Sequence, residues 1–167
     1  MDHLKNIKAK IFSGFEAFGP VLLEWKKEGR KIVFTNGCFD LVHRGHVESM
    51  TQAAALGDKL IVGLNSDESV KLLKGEGRPL IDEESRAILM ASFMFVDAVV
   101  LFSEETPYNL IAQIVPDVLV KGDEYSVEEI AGFDVVLANG GKVIPLELVP
   151  GFSTSSLITK IRNLKDE

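Results

Sequence analysis

Five short apolar runs constrain this chain more than any other feature: KIVF (31–34), KLIVGL (59–64), DAVVLF (97–102), DVLV (117–120) and KVIPLEL (142–148). Each has the length of a strand, and the hydrophobicity is nearly continuous. A strand with one wet face alternates apolar and polar residues, whereas a strand covered on both faces has no need to. The stretches between the runs carry helical patterns. VESMTQAAAL (47–56) follows the first run, and TPYNLIAQI (106–114) precedes the fourth. Asp82 is placed to cap a helix whose first turn holds Glu83 and Glu84. A last helix starts at Ser153 and gathers Leu157, Ile158, Ile161 and Leu164 on one stripe. Strands alternating with helices in this way predict an α/β fold, a doubly wound, Rossmann-like sheet of five parallel strands with helices on both faces. Ligands of such sheets bind beyond the carboxyl ends of the strands, where the strand order reverses. The residues that follow each run are therefore where chemistry is expected.

Residues 1–30 read as a short N-terminal helical extension ahead of the domain at 31–167. Ile7, Ile11, Phe15 and Phe18 recur at helical spacing, with Gly14 as an interruption. Pro20 suits a first helical turn and Gly29 a stop, which brackets VLLEWKKE as a second short helix. Its apolar side, Trp25 included, is a packing surface or else a contact with a second copy of the chain. No apolar run approaches the ~20 residues of a membrane helix, and the charged start MDHLKNIKAK lacks the apolar centre of a secretory signal. Twenty-five acidic against 18 basic residues give a net charge of −7. That balance argues against nucleic acid or an anionic membrane as partner and leaves small molecules in the cytoplasm. Any anionic substrate must be met locally, by backbone amides and a few placed cations. Cys38 is the sole cysteine, so no internal disulfide and no Cys-based zinc site is possible.

The richest strand end is Thr35-Asn36-Gly37-Cys38-Phe39-Asp40-Leu41-Val42-His43-Arg44-Gly45-His46. Gly37 and Gly45 would let backbone approach a ligand where a Cβ would clash. The helix that opens near Gly45 would aim its unpaired amides and positive dipole end at the same spot. His43 and His46, three residues apart, add donors. Together they form a phosphate cradle directed at charge building on a pentacoordinate phosphorus. Zinc is the competing use of two histidines so spaced, but no third ligand is evident. Phe39 reads as core support beneath this phosphate-binding loop, and Cys38 as a small filler rather than a nucleophile.

This segment resembles the signature of the cytidylyltransferase-like nucleotidyltransferase superfamily, in which the two histidines contact the triphosphate. The longer string TNGCFDLVHRGH is similar to the heptose-1-phosphate adenylyltransferase family of lipopolysaccharide core synthesis, which also occurs fused to a sugar kinase. The similarity spans about Lys31 to Ile161 and implies a nucleotidyltransferase domain at 31–167. It implies ATP as substrate, Mg²⁺ bound with it, a homodimer, and a separate sugar kinase as a partner in the pathway.

Other strand ends carry further matches. Lys74 and Arg78 fall on the family's LKG-x-x-RP segment and read as a mobile cationic flap over the phosphates, with Lys71 nearby on the substrate side. Asn65 and Asp67 either meet the sugar phosphate or cap a turn. Arg86 either approaches the phosphates or pairs with Glu83 or Asp82. Lys121, Gly122 and Asp123 end the fourth strand beside the nucleoside. There Asp123-Glu124 departs from the heptose form, which reads Gly-Asp, and approaches the form seen in glycerol-3-phosphate cytidylyltransferases. Ser153, Thr154 and Ser155 open the last helix as caps or as a second anion site. The cytidylyltransferases carry an arginine where this chain has Leu148, a difference that favours the heptose branch. Asp40 is the carboxylate nearest the expected metal, or else a cap for the loop. The reaction so implied is in-line attack of a substrate phosphate on the α-phosphorus of ATP. The alternatives are a cytidylyltransferase acting on glycerol 3-phosphate and a nucleotide-binding module without catalysis.

Overall fold

A computed structural model describes residues 2–122, 124–147 and 150–164. The sheet has six strands rather than five, all parallel: β1 (Ile11–Phe12), β2 (Ile32–Gly37), β3 (Lys59–Asn65), β4 (Ala98–Phe102), β5 (Val118–Gly122) and β6 (Lys142–Leu146), in the order β1-β4-β3-β2-β5-β6. The additional strand comes from the stretch read as purely helical. There α1 (His3–Lys8) and α2 (Phe15–Lys27) flank β1, which pairs Ile11 with Val99 and Phe12 with Val100 on β4. Two strand residues between helices leave too short an apolar pattern to separate from helical spacing.

The helix at Pro20 also differs from expectation. One continuous helix begins at Phe15, directly after Gly14, with Pro20 inside it. Proline lacks an N–H, so the carbonyl of Glu16 has no helical donor. Both Pro20 and Glu16 are exposed, and water can serve that carbonyl. Phe18 and Leu22 of this helix are buried against the sheet, with Trp25 packed beside them. Of the apolar side read as a packing surface or a contact with a second copy, Val21, Leu22 and Trp25 pack on the chain's own core, whereas Leu23 stays 53% exposed.

Continuous hydrophobicity has the expected cause. Ile32 and Phe34 enter a core with Ile61, Val100 and Leu119 under α2, α6 (Tyr108–Ile114) and α7 (Phe133–Ala138). Val33 points the other way, with Leu60, Val62, Val99 and Val118, into a core under α3 (Arg44–Ala54) and α5 (Glu83–Ser92). Successive side chains alternate faces, and both faces are dry. The remaining elements are α4 (Asp67–Lys74), a 3-10 turn at Val127–Glu129 and α8 (Thr154–Arg162). The chain leaves β2 towards β3 on one side and returns to β5 on the other. The loops after β2 and β5 therefore part, and a crevice opens between them at the switch point.

Candidate active site

Two contiguous chambers occupy that crevice. The smaller, about 190 Å³, lies along Thr35 to Phe39, His46, Met50, Val120 to Gly122 and Leu146. The larger, about 490 Å³, extends past Asn36, Asp40 and His46 to Asn65, Lys74, Arg78, Lys121, Thr154 and Ser155. Asn36, Gly37, Phe39, His46 and Lys121 line both.

The β2–α3 loop sets the geometry. Phe39 has a positive φ of 46° and is nearly buried, a conformation costly for a bulky residue and sustained here by its packing. Its ring lies edge-on to His46 at 5.4 Å, and the His46 ring stacks on His43 at 3.9 Å. The His43 backbone N–H donates to His46 Nδ1 at 3.3 Å. With Nδ1 accepting, the neutral ring carries its proton on Nε2, a hydrogen-bond donor. Burial, and then the neighbouring His43, lower the His46 pKa to about 4, so the ring is neutral at physiological pH. Burial lowers the pKa of His43 as well. His46 faces the chambers, whereas His43 lines neither. Its Nδ1 is buried and has no hydrogen-bond partner among the described residues.

The glycines make room for side chains of the loop itself. A Cβ on Gly45 would stand 3.1 Å from the His43 ring and 3.2 Å from Phe152 Cβ; one on Gly37 would stand 3.1 Å from the Phe39 ring. Gly37 still lines both chambers, but the close approach it permits is to Phe39.

Several charged groups expected at the ligand are held inside the protein. Asp40, 2% exposed, accepts from the backbone N–H groups of Leu80 and Ile81 through Oδ1, at 2.8 and 3.0 Å. Its Oδ2 takes Arg78. Both oxygens are engaged, which fits the loop-capping reading rather than the metal one. Arg78 lines the larger chamber but is anchored at Asp40. Arg86 is fully buried and pairs with neither Glu83 nor Asp82. Its guanidinium donates to the carbonyls of Ile81 (2.9 Å) and Cys38 (2.6 Å) and to Asp67 Oδ1 (2.7 Å). Asp67 and Arg86 thus join the ends of three loops and do not reach the cleft. Lys71 is exposed on α4, also away from the cleft, while Lys74 at that helix's end lines it. Gly75 follows with a φ of +92°.

At the end of β5, Lys121 Nζ donates to Asn36 O at 3.1 Å and to Oδ1 at 3.4 Å, bridging the switch point. Burial lowers its pKa. Burial raises that of Cys38 against four nearby cations, which keeps the thiol protonated. At α8, Ser153 caps the helix by accepting from Ser156 N (3.1 Å), and Thr154 Oγ1 donates to Leu41 O (3.4 Å). Thr154 and Ser155 line the larger chamber; Ser153 does not. Asp123 and Leu148 lie outside the described residues.

The cleft also holds residues that sequence reasoning passed over: Glu105, Thr106 and Pro107 after β4, and Tyr125, Glu129 and Ala131 after β5. SEETP directly follows an apolar run, so the strand-end rule applies to it as it does to the others.

Residues 34–160 match the family model described as cytidylyltransferase-like. The chain is 56% identical over 142 residues to the bifunctional protein HldE of Azorhizobium caulinodans, covering 85% of this chain and 30% of that protein. It is 52% identical over 156 residues to HldE of Rhodopseudomonas palustris, covering 93% and 32%. The chain thus spans about a third of the length of these relatives. Among solved structures it is similar to a lipopolysaccharide core biosynthesis protein from Thermoplasma volcanium, with TM-score 0.59, 26% identity, and coverage of 72% of this chain and 98% of that one. It shares its fold with a pantoate-beta-alanine ligase from Francisella tularensis, with TM-score 0.60 at 13% identity, over 91% and 76% of the two chains.

Proposed function

The chain belongs to the cytidylyltransferase-like family, and from that premise we propose that it transfers the adenylyl group of ATP to a sugar 1-phosphate, heptose 1-phosphate above others, giving ADP-heptose and pyrophosphate. The observation that carries this reading is the switch-point cleft. In a chain of net charge −7, it collects Lys74, Arg78, Lys121 and the N-terminus of α8 around a neutral His46. Such a site suits polyphosphate.

In the proposed reaction an oxygen of the acceptor phosphate attacks the α-phosphorus in line. The bond from that phosphorus to its bridging oxygen breaks, and pyrophosphate leaves. The attacking oxygen is already anionic, so positioning and charge stabilisation carry the rate without a protein base. His46 Nε2–H donates to the phosphate oxygens as charge shifts onto them, and His43 orients it through stacking and its backbone N–H. Lys74 and Arg78 attend the leaving pyrophosphate, and Gly122 with the smaller chamber takes the nucleoside. Mg²⁺ arrives with ATP as part of the substrate. Among the described residues no group of three or more His, Cys, Asp or Glu is placed for a metal, so phosphates and water are its natural ligands. A cytoplasmic homodimer supplied by a sugar kinase completes the proposal. Among the described residues no helix is long and apolar enough to cross a membrane.

One observation favours a second reading: Glu124, part of the cytidylyltransferase-like departure, lines both chambers. Pyrophosphate release with ATP and with CTP, against heptose 1-phosphate, other sugar 1-phosphates and glycerol 3-phosphate, tests both. ATP with the heptose phosphate is expected to give the highest kcat/KM. Efficient CDP-glycerol formation would overturn the substrate while leaving the phosphate chemistry standing.

A further inference from the structure

The loop between β4 and α6 lines the larger chamber and has no part in the phosphate chemistry. Resting on the reading above, we propose that Glu105, with Thr106, determines acceptor specificity by hydrogen-bonding the hydroxyls of a polyhydroxylated sugar phosphate, at the end of that molecule away from its phosphate.

Three observations support the assignment. The backbone around Glu105 is pinned. Buried Asn65 donates from Nδ2 to Ser69 Oγ (2.8 Å), and Ser69 Oγ donates to the Glu104 carbonyl (2.9 Å). Ser66 N donates to the Phe102 carbonyl (2.9 Å), and buried Pro107 closes the loop at the start of α6. Glu104 turns its own carboxylate back to Ser103 N. The Glu105 carboxylate, in contrast, makes no hydrogen bond to a described residue, and Glu105 and Thr106 both line the chamber. A free acceptor on a fixed loop is the arrangement that reads hydroxyl positions, because little order is lost when the ligand binds.

The second observation is the distribution of charge. Lys74, Arg78 and Lys121 line the same chamber and supply positive charge for the phosphates it takes, those of ATP and of the acceptor together. A carboxylate accepts hydrogen bonds only, so Glu105 suits neutral hydroxyl donors and repels a second anionic group. The third is size: about 490 Å³ accommodates a sugar ring in addition to phosphates, far more than a three-carbon polyol needs.

The test uses the full chain with Glu105→Ala, Glu105→Gln and, as a control at an exposed glutamate that does not line the chamber, Glu128→Gln. Acceptors are heptose 1-phosphate, mannose 1-phosphate and glycerol 3-phosphate. Binding of the sugar phosphates is also measured by calorimetry with a non-hydrolysable ATP analogue. Glu105→Ala is expected to weaken sugar-phosphate binding and kcat/KM about 10–100-fold, chiefly through KM, with KM for ATP unchanged. The preference for sugar over glycerol phosphate should shrink by the same factor, Glu105→Gln should lose less, and Glu128→Gln should match the unaltered protein. An unchanged acceptor preference in both Glu105 variants overturns the assignment, as does an equal loss on every acceptor with a raised KM for ATP. If the unaltered protein releases no pyrophosphate yet binds sugar phosphate in a Glu105-dependent way, the transfer reaction falls and the acceptor site stands.

Discussion

Removing the Asp40 carboxylate tests the internal ion pair that holds the loop after α4 to the loop after β2. Asp40 is 1% exposed at its side chain and Arg78 19%. In Asp40→Ala the guanidinium loses its counter-ion, and the Leu80 and Ile81 N–H groups lose their acceptor. Breaking a buried pair from one side costs about 3–5 kcal/mol. Arg78 keeps some access to water, which sets the expectation near the lower end, about 3 kcal/mol. For a domain of this size that corresponds to roughly 6–12 °C in Tm. Arg78→Ala should cost less, because Asp40 keeps its two backbone donors. Urea unfolding followed by far-UV circular dichroism, on both single variants and the double variant, gives the coupling. A coupling of about 1–3 kcal/mol is expected. If Asp40→Ala stays within about 0.5 kcal/mol of the unaltered protein, which is the usual range for unimportant surface positions, the pair does not exist in solution. Additive single variants would say the same, and Asp40 would again be open to Mg²⁺.

Replacing His46 with Ala should lower kcat on the order of 10²–10³-fold, as loss of one preorganised donor does, with circular dichroism showing a folded chain; near-normal turnover would remove His46 from the mechanism. Because the folded pKa of His46 is lowered to about 4, the unfolded chain takes up its proton first as pH falls. Stability should therefore decline from roughly pH 6.5 to 4, with no contribution from this group above that window. A His46→Gln variant should show a shallower decline in urea midpoint between pH 7 and 5, and an identical decline would refute the assignment. Limited proteolysis at Lys71–Gly77 should slow with MgATP present, and Lys74→Ala should reduce turnover more than stability; cleavage indifferent to nucleotide, with normal turnover, would make that segment a plain solvated loop.

Much of the architecture was legible because its cause is local. A strand buried on both faces must be apolar at successive positions, and each of the five runs corresponds to a strand of the sheet. The start of the helix after Asp82 was legible for a similar reason, since Asp82 accepts from Ser85 N within one turn. β1 was not, because its two residues are a strand only by virtue of pairing with β4, far away in sequence. Local pattern contains no information about that partner.

Charged residues mark the limit more sharply. Lys74, Arg78 and Arg86 look alike in the sequence, as cations near strand ends, and each can be read as a phosphate ligand. The fold separates them by what else reaches the same place. Lys74 lines the cleft at a helix end and has no ion-pair partner among the described residues, Arg78 shares the cleft with a buried carboxylate, and Arg86 is enclosed by two carbonyls and Asp67. A buried guanidinium needs its donors satisfied, so once those partners surround it no ligand is required to stabilise it there. The partners come from residues 38, 67 and 81, a set that only the folded sheet brings together. Arg86 thus reaches the cleft only through the Cys38 carbonyl and the loop that follows it to His46, while Lys74 and Arg78 line the cleft themselves.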